Sequence, residues 1–564
     1  MTYRREIDGL RTIAVLSVLF FHAEFQGFSG GFIGVDVFFV ISGYLITSVI
    51  LRDISVDKFT FTKFYEKRVR RIFPALLFIS LCCVPFALFL MTPLDLKHFF
   101  QSLVGSTIFG SNVLFWLQSG DYFDTASIWK PLHHTWSLAV EEQFYVFHPI
   151  IILLASRFSQ KFQKGIILVG IILCFSYSLY FINFNPKGNF YLLPSRIWEL
   201  YSGALLAYFN FDKIKSYFSN RLCDIFTILG LILIFYSLLT FNSLTPHPSL
   251  LTIIPVFGTI LIIIFSGDTG FSGSILTNKK IVYLGLISYS LYLWHYPIFV
   301  FSRLILPNDL TSLNYIFLIF ISFIFSAITY KYVEQPFRNK NKFKRRFIFK
   351  FFLIFSTFCI IIGFIGHLTN GFKNMFTNPK NANLILVQST AMEDLDGCHG
   401  SKPEDNCRIG NKSKTTPSWA LIGDSHAGSL SSELSRELSK NNSSGIQLTQ
   451  GGCGYVLGLN KSFTDPTFCE NLNKRIEKII LNNKIKNIVI SARYVRYLFK
   501  TGYDNGEGGK ESDFEDTYYY PDNYNGNNER MNIILEAYKN SIENLLKADK
   551  NVFLVYPVPE IGWD

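Results

Sequence analysis

Repeated apolar runs that approach the thickness of a lipid bilayer constrain the fold of this chain more than any other feature. A helix crosses the hydrocarbon core with roughly 17 to 25 predominantly apolar residues. Eleven runs are close to that length, and they lie at 12–26, 32–51, 73–91, 139–155, 165–183, 193–209, 224–241, 249–266, 281–304, 314–333 and 347–367. The chain is also 49% hydrophobic and 17% aromatic. We therefore predict a polytopic α-helical membrane domain of about eleven transmembrane helices.

A twelfth stretch, 97–117, is fairly apolar but contains several polar side chains. These are Gln101, Ser102, Ser106, Ser111 and Asn112. Because a spanning helix is predominantly apolar, we predict an interfacial or re-entrant segment here rather than a crossing.

The distribution of basic residues supports the count of eleven. With a cytoplasmic N-terminus, inward-facing segments carry 24 Lys and Arg, whereas the outward loops before the last helix carry 3. A helix at 97–117 would invert this bias for every later loop. The net charge of +11 is largely this topology signal, so anionic inner-leaflet lipid is a sufficient partner and we expect no nucleic acid.

The region from about 416 onward has a different pattern. Short apolar strands alternate there with amphipathic helices, and the strands read S-W-A-L-I-G, G-I-Q-L-T-Q, K-N-I-V-I-S and N-V-F-L-V-Y. This alternation predicts an α/β domain with a parallel sheet. The acidic, tyrosine-rich stretch 501–529 is either a solvated insertion or a surface that stacks on sugars.

With a cytoplasmic N-terminus, eleven crossings place the region after Gly366 outside the cytoplasm, and four cysteines lie in that region. An even number in an oxidising compartment predicts disulfides, and proximity pairs Cys398 with Cys407 and Cys453 with Cys469. Their spacing matches no zinc site, so we expect no metal.

Ionisable side chains inside the predicted helices are candidates for function because burying them in a bilayer is costly. They are His22, Asp36, Glu141, Glu142, Arg196, Glu199 and His295. Other roles stay open: a histidine can be a packing residue, Glu142 can bind a backbone amide, and Arg196 with Glu199 can form an ion pair at i and i+3. The presence of several ionisable residues at a similar depth in the membrane favours a functional site.

Three arginines extend this set toward the cytoplasm. Arg11 lies about 16 Å from His22 along a helix axis, which places the histidine about half a bilayer from the cytoplasmic side. Arg68 and Arg71 share one helical face in the cytoplasmic segment 52–72. They could clamp the phosphates of a nucleotide-like donor or only contact lipid headgroups.

Several motifs stand in order along the first 340 residues. They read Y-R-R-E-I-D-G-L-R with an Arg-x10-His spacing, G-F-I-G-V-D-V-F-F-V-I-S-G-Y-L-I, F-Y-E-K-R-V-R-R-I-F-P-A, H-H-T-W-S-L-A-V-E-E-Q-F-Y, S-Y-S-L-Y-L-W-H-Y-P and Y-V-E-Q-P-F-R. Together they resemble the membrane acyltransferase-3 family. The G-D-S-H sequence at 423–426 resembles the SGNH hydrolase-like domain that is fused to those members of the family that O-acetylate surface glycans.

The resemblance implies a domain layout. It comprises an acyltransferase domain at 1–340, an additional transmembrane helix at 341–370, a periplasmic linker at 371–415 and an SGNH-like domain of the flavodoxin-like three-layer type at 416–564. It also implies a bacterial inner-membrane protein whose N-terminus is cytoplasmic and whose last domain is periplasmic.

The resemblance further implies an activity. Acetyl-CoA would donate an acetyl group to a hydroxyl of a lipid-linked or surface glycan, with lipopolysaccharide O-antigen ahead of peptidoglycan, and no cofactor would stay bound. A transporter or flippase of acyl groups or glycan lipids is the alternative from another class, although the sequence shows no inverted repeat. A membrane-anchored esterase is the third hypothesis.

Residue roles follow from the same resemblance. The donor-binding residues would be Arg11, Arg68 and Arg71, and the catalytic residues would be His22, Glu142 and Ser425. The supporting residues would be Asp36, His134, Trp136, Arg196, Glu199 and His295. Gly451 or Gly452 would supply an oxyanion donor next to Ser425.

The tail departs from the SGNH pattern in two places. No histidine follows His426, and the strand that often ends in G-x-N-D reads I-S-A-R-Y. Serine needs a base to become a good nucleophile. We therefore expect the domain to be incomplete before its Asp-x-x-His motif, with a glycan-binding tail as the alternative.

Overall fold

The computed structural model describes residues 3–119, 127–242, 245–267, 270–306, 310–372, 398–405, 407–414, 416–461, 467–482, 484–498, 518–519 and 527–556. The chain divides into two compact units, Met1–Phe376 and Thr377–Asp564. The first unit is helical, and the second combines a sheet with helices.

The longer helices of the first unit have 13 to 30 residues. They are α1 (Arg5–His22), α2 (Gly34–Ser55), α3 (Phe61–Leu90), α4 (Pro93–Thr107), α6 (Thr135–Ala155), α7 (Gln160–Phe181), α9 (Leu193–Leu206), α11 (Asn220–Thr240), α12 (Ile253–Phe265), α14 (Lys279–Ile305), α15 (Ser312–Thr329) and α17 (Arg345–Leu368). Short helices connect them, namely α5 (Ser111–Gln118), α8 (Pro186–Tyr191), α10 (Phe211–Lys215), α13 (Phe271–Leu276) and α16 (Gln335–Arg338).

Each of the eleven predicted runs falls on one of the longer helices. Within the described residues, eight helices are long and apolar enough to cross a membrane. The predicted class is therefore confirmed, but the count of eleven is not. The other three helices differ in charge or length: α1 begins with the charged sequence R-E-I-D-G-L-R, and α9 and α12 have 14 and 13 residues.

The stretch 97–117 forms two helices, α4 and α5, rather than one. A break at Phe109, whose φ is 55°, separates them, and neither is long enough to span a bilayer alone. One of the polar interruptions, Gln101, has two partners inside the bundle: its Nε2 donates to Nδ1 of His367 on α17 at 3.1 Å, and its Oε1 accepts from Gln118 Nε2 at 2.8 Å. The interfacial or re-entrant placement of this segment stays a prediction.

Helices α7, α15 and α17 direct large apolar side chains outward. Leu173, Leu313 and Leu353 on these helices are 64%, 76% and 65% exposed. Soluble proteins rarely expose apolar surface of this extent. The outward faces of these helices therefore suit contact with lipid tails.

Helices α1 and α14 approach each other closely because a glycine lies in their contact. A Cβ on Gly285 of α14 would lie 1.9 Å from the carbonyl oxygen of Asp8 on α1. Gly9 of α1 is close to α13 instead, where its Cβ would lie 2.1 Å from the carbonyl oxygen of Leu276. Any side chain at Gly285 would push the two helices apart. This contact sets the separation of the residues further along both helices.

The second unit contains the strands β1 (Arg408–Gly410), β2 (Trp419–Gly423), β3 (Ser444–Thr449), β4 (Asn460–Lys461), β5 (Asn487–Ser491), β6 (Tyr518–Tyr519) and β7 (Asn551–Leu554). Its helices are α18 (Ser425–Ser429), α19 (Ser431–Lys440), α20 (Phe468–Asn482), α21 (Tyr494–Leu498) and α22 (Asn527–Lys547). The main sheet has the order β1-β3-β2-β5-β7. The strands β3, β2, β5 and β7 are parallel, as predicted, and β1 is antiparallel to β3.

Both faces of this sheet are covered along the strands β3, β2 and β5, whereas the edge strand β7 is largely exposed. Along β2, Ala420 and Ile422 join the core that contains Ile476 of α20, whereas Leu421 points to the other face, where Leu438 of α19 packs. Strands that are buried on both faces explain why the apolar runs are nearly continuous. The predicted three-layer α/β class is confirmed.

The second unit begins earlier than the sequence pattern indicates. Strand β1 and Cys398 lie inside the predicted linker 371–415, yet β1 pairs with β3 and Cys398 is buried. A three-residue antiparallel strand between polar residues gives too weak a pattern to predict. Residues 501–517, 520–526 and 557–564 lie outside the described residues, as does most of the predicted acidic loop.

Both expected disulfides are present. Cys398 is bonded to Cys407, and Cys453 is bonded to Cys469. The first bond attaches the segment that precedes β1, and the second joins α20 to the loop after β3.

Candidate functional site

A cavity inside the helical unit collects the three predicted donor-binding arginines. Its volume is about 830 Å³ with the open mouth included. Arg11 of α1, Arg68 and Arg71 of α3, Glu141 of α6 and Tyr292 of α14 all line it. Residues separated by up to 281 positions in the chain therefore meet in one space.

Arg68 and Arg71 share one face of a helix, as predicted, and this helix, α3, continues to Leu90, beyond the predicted segment 52–72. Helix α3 begins at Phe61, where the Thr60 side chain accepts a hydrogen bond from the Lys63 amide at 3.3 Å. The sequence F-Y-E-K-R-V-R-R continues the helix because its apolar residues keep helical spacing. Both arginines are thus carried into the bundle.

The arginines differ in their partners. Arg11 Nη1 donates to Asp8 Oδ1 at 3.0 Å. Arg68 lies over the ring of Tyr145 at 5.6 Å, and its buried Nε has no hydrogen-bond partner among the described residues. Arg71 has no ion pair within the described part of the chain. Two guanidinium groups on the cavity wall are therefore available to an anion.

Glu141, and not the predicted Glu142, lines this cavity. Glu141 Oε2 accepts a hydrogen bond from Tyr145 Oη at 3.1 Å. Glu142 points elsewhere because successive helical residues are about 100° apart, and its buried Oε1 has no partner among the described residues. The motif E-E-Q-F-Y does not show which carboxylate faces the cavity.

A second cluster contains the predicted catalytic histidine. His22 is the last residue of α1. Its Nδ1 lies 3.0 Å from Nε2 of His295 on α14. The ring of Tyr296 is 4.7 Å from that of His22, and the ring of His134 is 5.8 Å from that of His295.

No carboxylate among the described residues forms a hydrogen bond with the ring of His22. The glycine contact between α1 and α14 brings the second histidine to this position. The two helices lie too far apart in sequence for their contact to be read from spacing.

Tyr292 links the cavity to the histidine cluster. It lines the cavity, and its hydroxyl donates to the His134 carbonyl oxygen at 2.9 Å. Its ring centroid is 5.5 Å from that of His295 and 5.4 Å from that of His134. One aromatic side chain therefore separates the arginine-lined space from the histidines.

Arg303, which the sequence reasoning missed, fixes the end of α1. Its Nη2 donates to the His22 carbonyl oxygen at 3.1 Å, to Glu24 Oε1 at 2.8 Å and to Tyr315 Oη at 2.8 Å. A guanidinium at a helix C-terminus satisfies a carbonyl that has no intrahelical partner. A single arginine at the end of a predicted helix carries no signal for this role.

The predicted supporting residues Asp36, Trp136, Arg196 and Glu199 form a separate cluster. Arg196 Nη1 donates to Asp36 Oδ1 at 2.8 Å and to Glu199 Oε1 at 3.0 Å, and all three side chains are buried. The Trp136 ring lies 5.6 Å from the guanidinium. Arg196 and Glu199 are therefore not a self-contained pair. His247, which we did not predict, joins them with its Nε2 3.2 Å from Asp36 Oδ1.

In the second unit, Ser425 begins α18 directly after β2, at the strand-to-helix turn that the G-D-S motif predicts. Asp424 holds this turn: its Oδ1 accepts from the His426 amide at 2.8 Å, and its Oδ2 accepts from the Arg493 amide and from Tyr497 Oη. Gly423 has φ of 139°, and a Cβ there would lie 1.8 Å from the Ser491 carbonyl oxygen. The I-S-A-R-Y segment thus supports the turn.

Gly451 and Gly452 follow β3 at the same edge of the sheet. His399 also lies there, with its Nδ1 3.0 Å from Thr449 Oγ1. A Cβ on Gly451 would be 3.6 Å from His399 Nε2. We missed His399 because it lies in the predicted linker, although its neighbour Cys398 already indicated a fixed segment.

No group of three or more histidine, cysteine, aspartate or glutamate side chains with metal-binding geometry occurs in the part of the chain that the structure describes. The candidate functional residues lie in the arginine-lined cavity, in the histidine cluster and at the Ser425 turn.

Comparisons with known proteins agree with this division. Residues 4–331 match the family model described as "Acyltransferase domain", and residues 394–564 match the one described as "SGNH domain (fused to AT3 domains)". No solved structure matches the chain.

Several curated proteins are similar to the chain. Peptidoglycan O-acetyltransferase OatA of Listeria monocytogenes is 30% identical over 355 residues, which are 60% of this chain and 56% of that protein. O-acetyltransferase OatA of Staphylococcus aureus is 30% identical over 354 residues, 60% of this chain and 58% of that protein. The putative O-acetyltransferase SAS0844 of S. aureus is 28% identical over 459 residues, 75% and 74% of the two chains. The chain thus spans less than two thirds of the length of the two OatA proteins.

Proposed function

The chain belongs to the membrane acyltransferase family whose members carry a fused SGNH domain, and from this premise we propose that it is an O-acetyltransferase. It moves an acetyl group from cytosolic acetyl-CoA to a hydroxyl of an extracytoplasmic glycan. One observation carries the proposal: Arg11, Arg68 and Arg71 line one cavity, and a single tyrosine, Tyr292, separates that cavity from the His22 cluster.

The arginines support a donor that carries phosphate groups. Guanidinium binds phosphate oxygens through charge-assisted, often bidentate hydrogen bonds. Arg68 has a free buried Nε among the described residues, and Arg71 has no ion pair there. In this proposal they hold the phosphates of acetyl-CoA, while the thioester reaches toward Tyr292.

His22 acts on the acyl group in one of two ways. As a general base, its imidazole removes the proton of the acceptor hydroxyl while the hydroxyl oxygen attacks the thioester carbonyl and CoA leaves as its thiol. As a nucleophile, the imidazole displaces CoA, and the resulting acyl-imidazole then passes its acyl group to the hydroxyl. Both routes need a ring nitrogen with a lone pair that faces the reacting groups.

The second unit extends the path outside the cytoplasm. In one route, Ser425 Oγ attacks the carbonyl carbon of the incoming acetyl group, and the acyl carrier leaves with the serine proton. The glycan hydroxyl then displaces Oγ from the acetyl group and returns a proton to it, while the backbone amides near Gly451 and Gly452 stabilise the developing oxyanion. In the other route, Ser425 only positions the acceptor. This assignment follows the proposed orientation, in which the N-terminus is cytoplasmic and the second unit faces the opposite side of a bacterial inner membrane. The basic-residue bias of the loops supports that orientation.

The proposed acceptor is peptidoglycan, ahead of lipopolysaccharide O-antigen. The sequence motifs favoured the O-antigen, but a similar protein, OatA of L. monocytogenes, is named a peptidoglycan O-acetyltransferase. Both acceptors are glycans with free hydroxyls, so the chemistry at His22 is the same for either.

Cells that express the full chain test this function. We expect ester-linked acetate on isolated peptidoglycan, measured by mass spectrometry of its fragments, and we expect His22→Ala to abolish it at matched protein levels. Gly165→Ala is the control, because a Cβ on Gly165 contacts nothing within 4 Å. Peptidoglycan and O-antigen that stay without added acetate in all strains, or acetate that persists in His22→Ala, would refute the proposal.

A further inference from the structure

The geometry points to His295 as the residue that sets the tautomer of His22. We propose that His295 holds the His22 ring with its proton on Nδ1 and its lone pair on Nε2, so that Nε2 is the nitrogen that acts on the acyl group. The inference rests on the proposed function and adds a positioning residue to it.

The argument begins at the far side of His295. Its Nδ1 lies 3.1 Å from the carbonyl oxygen of Leu291, one turn earlier in α14. A carbonyl oxygen only accepts hydrogen bonds, so this Nδ1 carries the proton and donates. In a neutral imidazole the other nitrogen is then the acceptor. Nε2 of His295 therefore presents a lone pair.

That lone pair faces His22. Nε2 of His295 is 3.0 Å from Nδ1 of His22, a normal hydrogen-bond distance. Because Nε2 of His295 accepts, Nδ1 of His22 must donate and must carry the proton. The remaining nitrogen of His22, Nε2, has no hydrogen-bond partner among the described residues.

The surroundings keep the pair neutral. His295 is fully buried, and His134 and the guanidinium of Arg303 lie near the pair. Adding a proton to either ring would place a second cation in a buried site close to Arg303, which is costly. A neutral pair has one hydrogen bond between the rings, and its direction is fixed by the Leu291 carbonyl.

The helix packing holds this geometry in place. The contact of Gly285 with Asp8 sets the separation of α1 and α14. Arg303 on α14 binds the His22 carbonyl oxygen at the end of α1. His295 thus has the orienting role that a carboxylate has beside many catalytic histidines, but it adds no negative charge.

The tautomer itself is measurable without enzymatic activity. The purified full chain, labelled with ¹⁵N-histidine and reconstituted in lipid, contains ten histidines, and the difference spectrum against His22→Gln assigns the His22 signals. We expect a protonated Nδ1 and an unprotonated Nε2 at neutral pH. A proton on Nε2 of His22, or an imidazolium there, would overturn the inference.

Two substitutions of His295 test the cause. Gln places an amide oxygen that can accept near the position of Nε2, whereas Leu has no acceptor. We expect His295→Gln to keep the Nδ1-protonated form of His22 and His295→Leu to shift it toward the other tautomer. An unchanged His22 spectrum in His295→Leu would show that His295 does not set the tautomer.

Kinetics separates positioning from folding. We expect His295→Leu to lower kcat by about 100-fold or more with little change in the KM for acetyl-CoA, and His295→Gln to recover about tenfold of that loss. Equal losses in both variants would contradict the inference. Wild-type chain that shows the expected tautomer but transfers no acetyl group would refute the proposed function and leave the histidine pair standing.

Discussion

Two half-buried arginines on the cavity wall, Arg68 and Arg71, have no carboxylate partner within the described residues. Arg11 is paired with Asp8, whereas Arg68 and Arg71 have no ion pair within the described residues. Buried charges are ordinarily paired because desolvation is costly. An anionic substrate that supplies the missing partner accounts for this arrangement.

Replacing Arg71 with Gln is therefore expected to weaken donor binding. Loss of a charge-assisted hydrogen bond to phosphate costs about 1.5 to 3 kcal/mol, so the KM for acetyl-CoA should rise about 10- to 100-fold with a smaller change in kcat. Steady-state kinetics of the purified chain measures both constants. Arg221→Gln is the control, because Arg221 is an exposed cation at the start of α11.

An unchanged KM in Arg71→Gln would contradict the assignment of this cavity to the donor. A KM that rises equally in Arg221→Gln would show that the effect comes from the overall positive field of the chain and not from the cavity.

At the residue scale, the sequence predicted which ionisable residues lie in polar clusters better than it predicted which residues they contact. The membrane cost of ionisable residues selected His22, Asp36 and Arg196, and each lies in a polar cluster of the structure. Spacing did not pair His22 with His295 because the contact joins helices 273 positions apart. The spacing also did not show that Glu141, rather than Glu142, lines the cavity.

At the scale of elements, the closest contact between α1 and α14 decides whether the two histidines meet. A Cβ on Gly285 would lie 1.9 Å from the Asp8 carbonyl oxygen, so even alanine forces the backbones apart. Packing strain of this kind costs about 1 to 3 kcal/mol. The effect extends along both helices to their far ends.

We expect Gly285→Ala to reduce acetyl transfer at least about tenfold, since small displacements of reacting groups are costly, and to lower the thermal unfolding temperature. Gly165→Ala on α7 is the matched control, because its Cβ would meet no atom within 4 Å. Acetylation assays and thermal unfolding in the same detergent compare the two. Equal activity in both variants would show that the helix contact does not position the histidines.

The elements themselves were predictable where apolar periodicity is strong. All eleven runs fall on helices, and the four parallel strands of the sheet have nearly continuous apolar residues. Three of the predicted helices are not among the eight that are apolar and long enough to span a membrane. Helix α1 begins with several charged residues, and α9 and α12 are short. The sequence did not predict strand β1, because three residues in a polar segment are too few to show the alternation of a strand.

At the scale of the whole molecule, the chain combines two units with different chemistry. The helical unit holds the arginine-lined cavity and the histidine pair, and the α/β unit holds the Ser425 turn. The order of the two units was predictable, because a membrane bundle and a parallel sheet have different apolar patterns. The proposed glycan acceptor was not predictable from such patterns, since a binding site for a glycan leaves no periodic signal in the sequence.

The central claim is that His22 passes acetyl groups from acetyl-CoA to a glycan. The most direct measurement follows radiolabelled acetyl-CoA with the purified full chain in proteoliposomes, with a soluble peptidoglycan fragment as acceptor. The account predicts labelled, base-labile ester on the fragment with wild type and Gly165→Ala, and none with His22→Ala. Equal labelling by His22→Ala and wild type, or no labelling by either, would contradict it.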